Sequence, residues 1–467
     1  MLADPLDPAT RHRQPFRGAG RGSAPGGADP APNIVFILID DLGWTDLGCQ
    51  GSGYYETPNI DRLAAQGVRF LNHYHAQNCT PTRAAIMTGQ YPTRTGIYGV
   101  GTLARGDEAH RKMEVPENVT RLPLDRRTIA DALKAAGYAT GMFGKWHLGS
   151  GPRYHPSQRG FDEAIVSMGE HVNFTTMPEV DHPGDQFLVD FLTERSVDFI
   201  ERHKDRPFFL YLAHYSVHAP LEAPHDLAEK YRGKEPIGGH SNPVYAAMIE
   251  YVDHSVGRIM AKLDELQLAG NTLVIFTSDN GGVGGYDDRF DNYTDNAPLR
   301  SGKGTFYEGG LRAPLIVRWP GVTPAGATCE AVTTHVDFFP TTLEAAGAAA
   351  PETQTLDGLS IVPLLRDPAG QLEREAIYGH FPGYLQGFGE GVWRTTPVGM
   401  IRAGDWKLIE FLEDGRLELY NLREDIGERN DLASTMPEKV RELHAMLIAW
   451  RERTGAAMPR PKNPERD

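Results

Sequence analysis

Only three cysteines, Cys49, Cys79 and Cys329, occur in 467 residues. Three thiols cannot make a disulfide framework, so packing must hold the chain, and each thiol reads by default as a buried, inert group. Basic residues are also in deficit: 47 Lys and Arg stand against 62 Asp and Glu, a formal charge of −15. Such a surface repels phosphate backbones and anionic lipid, which excludes nucleic acid and membrane as the main partner; a small anion in a locally positive pocket stays open. No apolar run approaches the roughly 20 residues of a membrane-spanning helix. Residues 1–32 are rich in Pro, Gly, Ala and Arg but lack the apolar stretch of a secretory signal. They read as a disordered leader. The chain as written then reads as cytoplasmic, or as periplasmic or secreted if an export signal is missing from this sequence. There is no internal repeat.

What is present is enough apolar residue, 40 %, for a packed interior, with 51 Gly and 34 Pro predicting many loops. The length suits one large domain and a smaller one. "NIVFILIDDLG" opens the folded part: Ile34 to Ile39 are six consecutive apolar residues, a strand buried on both faces. "TPNIDRLAAQG" predicts a short helix closed by Gly67, and "TIADALKAAG" a helix capped by Thr128 and ended at Gly137. Further buried strands follow in "YATGMFGKWHLG", "PFFLYLAHYSVHAP" and "NTLVIFTSDNGG", with a long amphipathic helix between the last two. This alternation predicts an α/β fold with a large, mostly parallel sheet sandwiched by helices, over residues 33–370. From 371 to 456 the pattern changes to short antiparallel strands, a hairpin turn at "EDGR" and a closing helix with Val440, Leu443, Leu447 and Trp450 on one face. This predicts a smaller α+β subdomain, with residues 457–467 as a tail.

In parallel sheets ligands sit beyond the carboxyl ends of the strands, and there the chemistry collects. Asp40 and Asp41 end one buried strand, Asp279 and Asn280 another. Either pair alone reads as loop capping. Two pairs at one sheet edge would bring together three carboxylates that repel unless a cation neutralises them, and all-oxygen ligation suits Ca²⁺ or Mg²⁺. Zinc fits less well, since no histidine pair has ligand spacing around them. A second set, Arg83, Lys145, His147, His218 and Lys303, is cationic. Singly each reads as a solvated side chain; together they would surround a tetrahedral oxyanion and supply proton transfer.

"CTPTRAAIMTG", from Cys79, matches the C-x-P-x-R signature of type I, formylglycine-dependent sulfatases, with Met87 where leucine is usual. "NIVFILIDDLG", "GKWHLG", "VHAP", "TSDNGG" and "GKGTFYEGGLRAPLIVRWPG" match that family's other blocks in order, over about residues 33 to 455. The chain thus resembles a sulfatase of the alkaline phosphatase superfamily. The resemblance implies a sulfuric ester hydrolase whose Cys79 is oxidised to formylglycine by a formylglycine-generating enzyme that reads the unfolded chain. An aldehyde hydrates to a geminal diol, which a thiol cannot do. The resemblance further implies Asp40, Asp41, Asp279, Asn280 and the modified Cys79 as ligands of Ca²⁺, with Mg²⁺ as the other choice. It gives Arg83 to the diol, Lys145 and Lys303 to the sulfate oxygens, and His218 to the leaving alcohol as acid, with His214 as a less certain neighbour. His147, oriented by Ser150, would take the diol proton. The expected substrate is a sulfated carbohydrate or aryl sulfate. Two other readings remain: a phosphate or phosphonate ester hydrolase of the same superfamily, and a glycan-binding protein without catalysis. Within "HFPGYLQGFGEGVWRTTP", residues 380–397, Tyr384, Phe388 and Trp393 are candidates to stack on a sugar and Arg394 to pair an acidic group, against the plain reading of a packed loop.

Overall fold

The computed structural model describes residues 31–287 and 289–462. The leader expected over 1–32 falls, but for its last two residues, outside them, as do the last five residues of the expected tail. No helix among the described residues is long and apolar enough to cross a membrane.

Eight strands form the central sheet: β1 (Asn33–Ile39), β2 (Val68–Phe70), β3 (Ala139–Gly144), β4 (Glu163–Val166), β5 (Phe208–Ala213), β6 (Thr272–Ser278), β7 (Leu315–Arg318) and β8 (Ala327–Cys329). Their order is β8-β2-β7-β6-β1-β5-β3-β4. Strand β7 pairs antiparallel with both neighbours; the other pairings are parallel. The sheet is therefore mixed but mostly parallel, as the run of buried strands predicts. In β1 the side chains alternate between two cores: Val35, Ile37 and Ile39 face one, Ile34, Phe36 and Leu38 the other. Helices cover both faces. On the side of α1 (Cys79–Thr88), α2 (Ile129–Ala135) lies as well; α3 (Leu188–Arg202) and α4 (Pro243–Glu265) bury Leu192 and Ile259 on the other. Thr128 caps α2 in a reciprocal pair with Asp131.

The helix over Pro58–Ala65 ends as expected in position but not in manner. Gln66 is its cap, and Gly67 does not adopt a left-handed turn. A Cβ at Gly67 would lie 2.3 Å from the Val317 carbonyl oxygen, so glycine serves close approach to β7 there.

The smaller subdomain is an antiparallel sheet of β9 (Ile377–Phe381), β10 (Val398–Ala403), β11 (Trp406–Phe411) and β12 (Arg416–Asn421) in that order. One face packs Ile401, Leu408 and Leu419 on Leu443, Leu447 and Trp450 of the closing helix Pro437–Thr454. The other packs Met400, Ile409 and Tyr420 against Tyr74, Phe306 and Leu311 of the large domain. Residues 460 and 461, in the segment expected to be a tail, pair antiparallel with Met113 and Glu114.

Between the two domains lies a buried ion cluster. Lys407 on β11 reaches Glu308 and Glu428, each at 2.8 Å, with all three side chains fully buried. Glu308 also pairs with Arg312 at 2.7 Å, and its backbone N–H donates to Glu428 at 2.7 Å.

Candidate active site

The four central strands, in the order β6-β1-β5-β3, end side by side. Their carboxyl ends carry Asp279 and Asn280, Asp40 and Asp41, His218, and Lys145 with His147. The sequence pattern therefore collects at one sheet edge because hydrogen-bonded register aligns the strand ends: Ile39 lies opposite Ser278, and Leu38 opposite Ala213. Gly144 makes the turn out of β3. Its φ is +114°, and a Cβ would lie 2.0 Å from the Ala213 carbonyl oxygen, so only glycine lets the Lys145 N–H donate to that oxygen at 2.8 Å.

Cys79 is the first residue of α1, 2 % exposed, and its Sγ is 3.3 Å from His147 Nδ1. Ligand atoms of Asp40, Cys79 and Asp279 lie within 4.8 Å of one another, as do those of Asp40, Asp41 and His218. Arg83, one helical turn after Cys79, is fully buried and braces the cluster. It contacts Asp279 Oδ2 through Nε at 2.9 Å and Nη2 at 2.8 Å, sits 3.5 Å from Asp40, and donates to the Lys145 carbonyl at 2.7 Å. Lys145 donates to Asp40 Oδ2, and Lys303 to Asp41 Oδ2 at 2.6 Å. Asn280 donates to Asp41 Oδ1 at 2.8 Å. Asp41 and His147 both hold left-handed backbone, φ 65° and 59°, strain that non-glycine residues keep where the surroundings fix a functional pose.

These residues fit a hard cation. Asp40 Oδ1 and Asn280 Oδ1 are buried oxygens with no hydrogen-bond partner among the described residues, and an orphaned buried acceptor is costly unless something else satisfies it. Titration points the same way. Burial alone would raise Asp40, but Lys145, His218, Arg83 and Lys303 outweigh it and hold it well below the usual carboxylate range. Burial and then the Asp40 charge drive Asp279 well above that range. Two carboxylates this close compete for charge unless a cation lies between them. The donor set is oxygen-rich, which suits Ca²⁺ or Mg²⁺.

His147 is neutral at ordinary pH: burial, then Lys145 and Arg83, push it down to about 3. His218 is more open. Its Nδ1 lies 2.7 Å from the Ala219 carbonyl, so that nitrogen carries a proton, because a carbonyl cannot donate. Nε2 is left for exchange, 3.7 Å from Asp41 Oδ2. The Tyr215 ring stacks on His218 at 5.1 Å, and His171 Nε2 donates to the His218 carbonyl at 2.8 Å. Neither supporting residue was foreseen; Tyr215 stands three residues before His218 in "HYSVHAP" without a motif of its own.

Three expectations change. His214 turns away from the site: it is fully buried and meets Ser255 on α4 at 3.0 Å. Ser150 is exposed, and among the described residues no hydrogen bond joins it to His147; the two only share the wall of a cavity of about 310 Å³ with Trp146 and Met168. Tyr384 offers no face to a sugar. It is fully buried, donates to Glu413 at 2.6 Å and accepts from the Met113 N–H, with Trp393 packed on its ring at 4.8 Å. Phe388 is 58 % exposed, and Arg394 stacks on Tyr286 at 4.9 Å.

Comparison with known proteins decides the family. The sulfatase family model matches residues 32–348. The chain belongs to the sulfatase family. A second model, N-sulphoglucosamine sulphohydrolase, C-terminal, matches residues 302–453. A sulfatase of Formosa agariphila is 35 % identical over 91 % of this chain and 89 % of its own length. The N-acetylgalactosamine-6-sulfatase of Canis lupus familiaris is 35 % identical over 77 % of this chain and 70 % of its own. Among solved structures, Ps i-CgsB, known alone and in complex with k-i-k-neocarrahexaose, aligns with a TM-score of 0.75 at 29 % identity over 90 % of this chain and 92 % of its own. This sulfatase is a sulfuric ester hydrolase with the alkaline phosphatase-like fold. Members of the family generally use a metal ion and a formylglycine.

Proposed function

We propose that this sulfatase hydrolyses sulfate esters of saccharides, with formylglycine made from Cys79 as nucleophile and Ca²⁺ held by Asp40, Asp41, Asp279 and Asn280. The observation that carries the reading is the placement of Cys79 within ligand distance of two strand-end carboxylates, beside two orphaned oxygens. A bound Ca²⁺ would supply Lewis acidity to the sulfate and to the hydrated aldehyde. Formylglycine at position 79 would supply, as its hydrate, one hydroxyl as nucleophile and a second hydroxyl that can lose a proton.

The chain's own residues do the rest. Asp40, Asp41 and Asp279 are matched in charge by Arg83, Lys145 and Lys303, so a divalent ion's charge remains for an anionic ester and the sulfate it yields. An ammonium has three donors, and Lys145 and Lys303 each spend one on a carboxylate, leaving donors for sulfate oxygens. Neutral His147, next to residue 79, accepts the proton of the second hydroxyl. His218 Nε2, 3.7 Å from Asp41 Oδ2, protonates the departing sugar oxygen. The saccharide preference is supported by relatives named for, or solved with, carbohydrate ligands.

Mass spectrometry of the Cys79 peptide after co-expression with a formylglycine-generating enzyme should show exchange of CH₂SH for CHO, with aryl sulfate turnover rising in step. Cys79→Ala should abolish it. Full turnover in Cys79→Ala, or faster turnover of the matched aryl phosphate, contradicts the reading.

A further inference from the structure

A second cavity, about 650 Å³, opens between the large domain and the hairpin of Leu385–Gln386 and Trp393–Thr395. Its walls carry Arg105 from one loop and Arg394 from the hairpin, with Phe290, Gln386 and Phe388 around them. In a chain of net charge −15, two arginines facing one cavity without an ion-pair partner among the described residues are out of keeping with the rest of the surface. Among the described residues neither has a carboxylate at ion-pair distance. Arg105 donates to the Val100 carbonyl; Arg394 sits over Tyr286 and Phe290, at 4.9 and 5.7 Å, with a buried Nε that has no hydrogen-bond partner among the described residues. Asp291 lines the same cavity but is exposed and pairs with neither.

The cavity is tied to the reaction centre. The Tyr286 hydroxyl donates to the carbonyl of Lys303, so a single ring spans from the sulfate-side lysine to the Arg394 guanidinium. Arg105 lies within electrostatic reach of both Cys79 and Arg394; burial and then the Arg394 charge lower its pKa, yet a guanidinium stays charged. Two half-buried like charges without counter-charge repel each other, and an anion between them removes that cost. Guanidinium forks bind carboxylate and sulfate oxygens in pairs.

We infer that Arg105 and Arg394 form a subsite for a second anionic group, so that the preferred substrate is a saccharide bearing another sulfate or a carboxylate besides the ester that is cleaved. This rests on the saccharide sulfatase reading, and it makes the enzyme a reader of charge spacing along the glycan. The two rings against Arg394 hold its guanidinium in place, which favours a group at one distance from the scissile sulfate over freely placed charge.

Calorimetric titration of protein carrying unconverted Cys79 reads binding without turnover. The probes are galactose 6-sulfate against galactose 2,6-disulfate, and N-acetylgalactosamine 6-sulfate against its glucuronate-linked disaccharide. At least one doubly charged probe should bind about 10- to 100-fold tighter than its singly charged partner, the span expected for charge-assisted hydrogen bonds. Which pair shows the gain tells sulfate from carboxylate. The gain should shrink with salt, and Arg105→Gln with Arg394→Gln should remove it. Equal affinities within both pairs in the unaltered protein, or a gain that survives both substitutions, overturn the subsite while leaving sulfate ester hydrolysis intact. No binding of any saccharide overturns the carbohydrate reading along with it.

Discussion

Replacing Lys407 by methionine tests how the two domains are held together. The side chain is fully buried and serves two carboxylates at 2.8 Å. Its loss is uneven. Glu308 keeps Arg312 at 2.7 Å and the Tyr74 hydroxyl at 2.6 Å, while Glu428 loses the one cation that pairs with it among the described residues. Breaking a buried pair on one side typically costs about 3–5 kcal/mol. Protonation changes that cost. Burial, with the Glu308 charge, outweighs Lys407 and pushes Glu428 up to about 7 from an ordinary 4.5. A carboxyl held above its unfolded pKa contributes fully below the unfolded value and loses that contribution as pH rises through the folded one. Without Lys407 it is driven higher still. At pH 8.5 Glu428 in Lys407→Met must stay a lone buried charge or take up a proton, which adds up to about 2 kcal/mol to the loss, one proton over the 1.5 pH units above 7. At pH 5.5 Glu428 is neutral, and the loss falls to a hydrogen bond's worth, about 1 kcal/mol. For 467 residues the unfolding entropy is near 1 kcal/mol/K, so each kcal/mol moves the thermal midpoint by about 1 °C. Scanning calorimetry should show a deficit of about 3 °C at pH 8.5 and about 1 °C at pH 5.5. Adding Glu428→Gln should recover most of the alkaline deficit, since the two residues act as one unit. Equal deficits at the two pH values, or no recovery in the double variant, would refute the assignment of the charge to Glu428.

Three further outcomes are expected. His218→Ala should slow sugar sulfates more than nitrophenyl sulfate by roughly 10²–10⁴-fold, because only the basic alkoxide needs a proton, while Lys303→Ala slows both alike; equal losses in His218→Ala would remove the acid role. Asp279→Asn should lose bound metal by elemental analysis together with the rise in thermal midpoint that added Ca²⁺ gives the unaltered protein, and stoichiometric zinc in that protein would contradict the oxygen site. Folded protein incubated with a formylglycine-generating enzyme should keep its cysteine, whereas urea-unfolded protein is converted; conversion of the native form would show that α1 opens readily.

Much of the fold was legible because its determinants are local. Unbroken apolar runs such as Ile34–Ile39 mark strands buried on both faces, and polar residues directly after them fall at the sheet's carboxyl edge. That placed Asp40, Asp41, Asp279 and Asn280 together before any geometry was known. Side-chain direction was not legible. His214 and His218 are four apart in one loop, yet one enters the core and the other faces the site, which depends on backbone turns that residue types do not encode. Tyr384 looked like a binding aromatic because its partners, Glu413 and Met113, are distant in sequence. Arg105 carried no signal, since its meaning comes from Arg394 almost 300 residues later.

All ten residues of α1 are buried, and the strand that closes the site beside them is β6. Asp279 is made 200 residues after Cys79, the difference of their positions. At roughly 5–20 residues per second, synthesis leaves about 10–40 s in which Cys79 has been added but its enclosing strand does not yet exist. Strand β1 lacks both of its final neighbours at first and gains β5 only when Ala213 is made, while β6 comes last. The long-range topology thus keeps the signature accessible for a fixed interval on every chain. On the proposed formylglycine chemistry, the fraction of molecules that become active would be set by translation speed and by the supply of modifying enzyme, in competition with a folding step the ribosome itself delays.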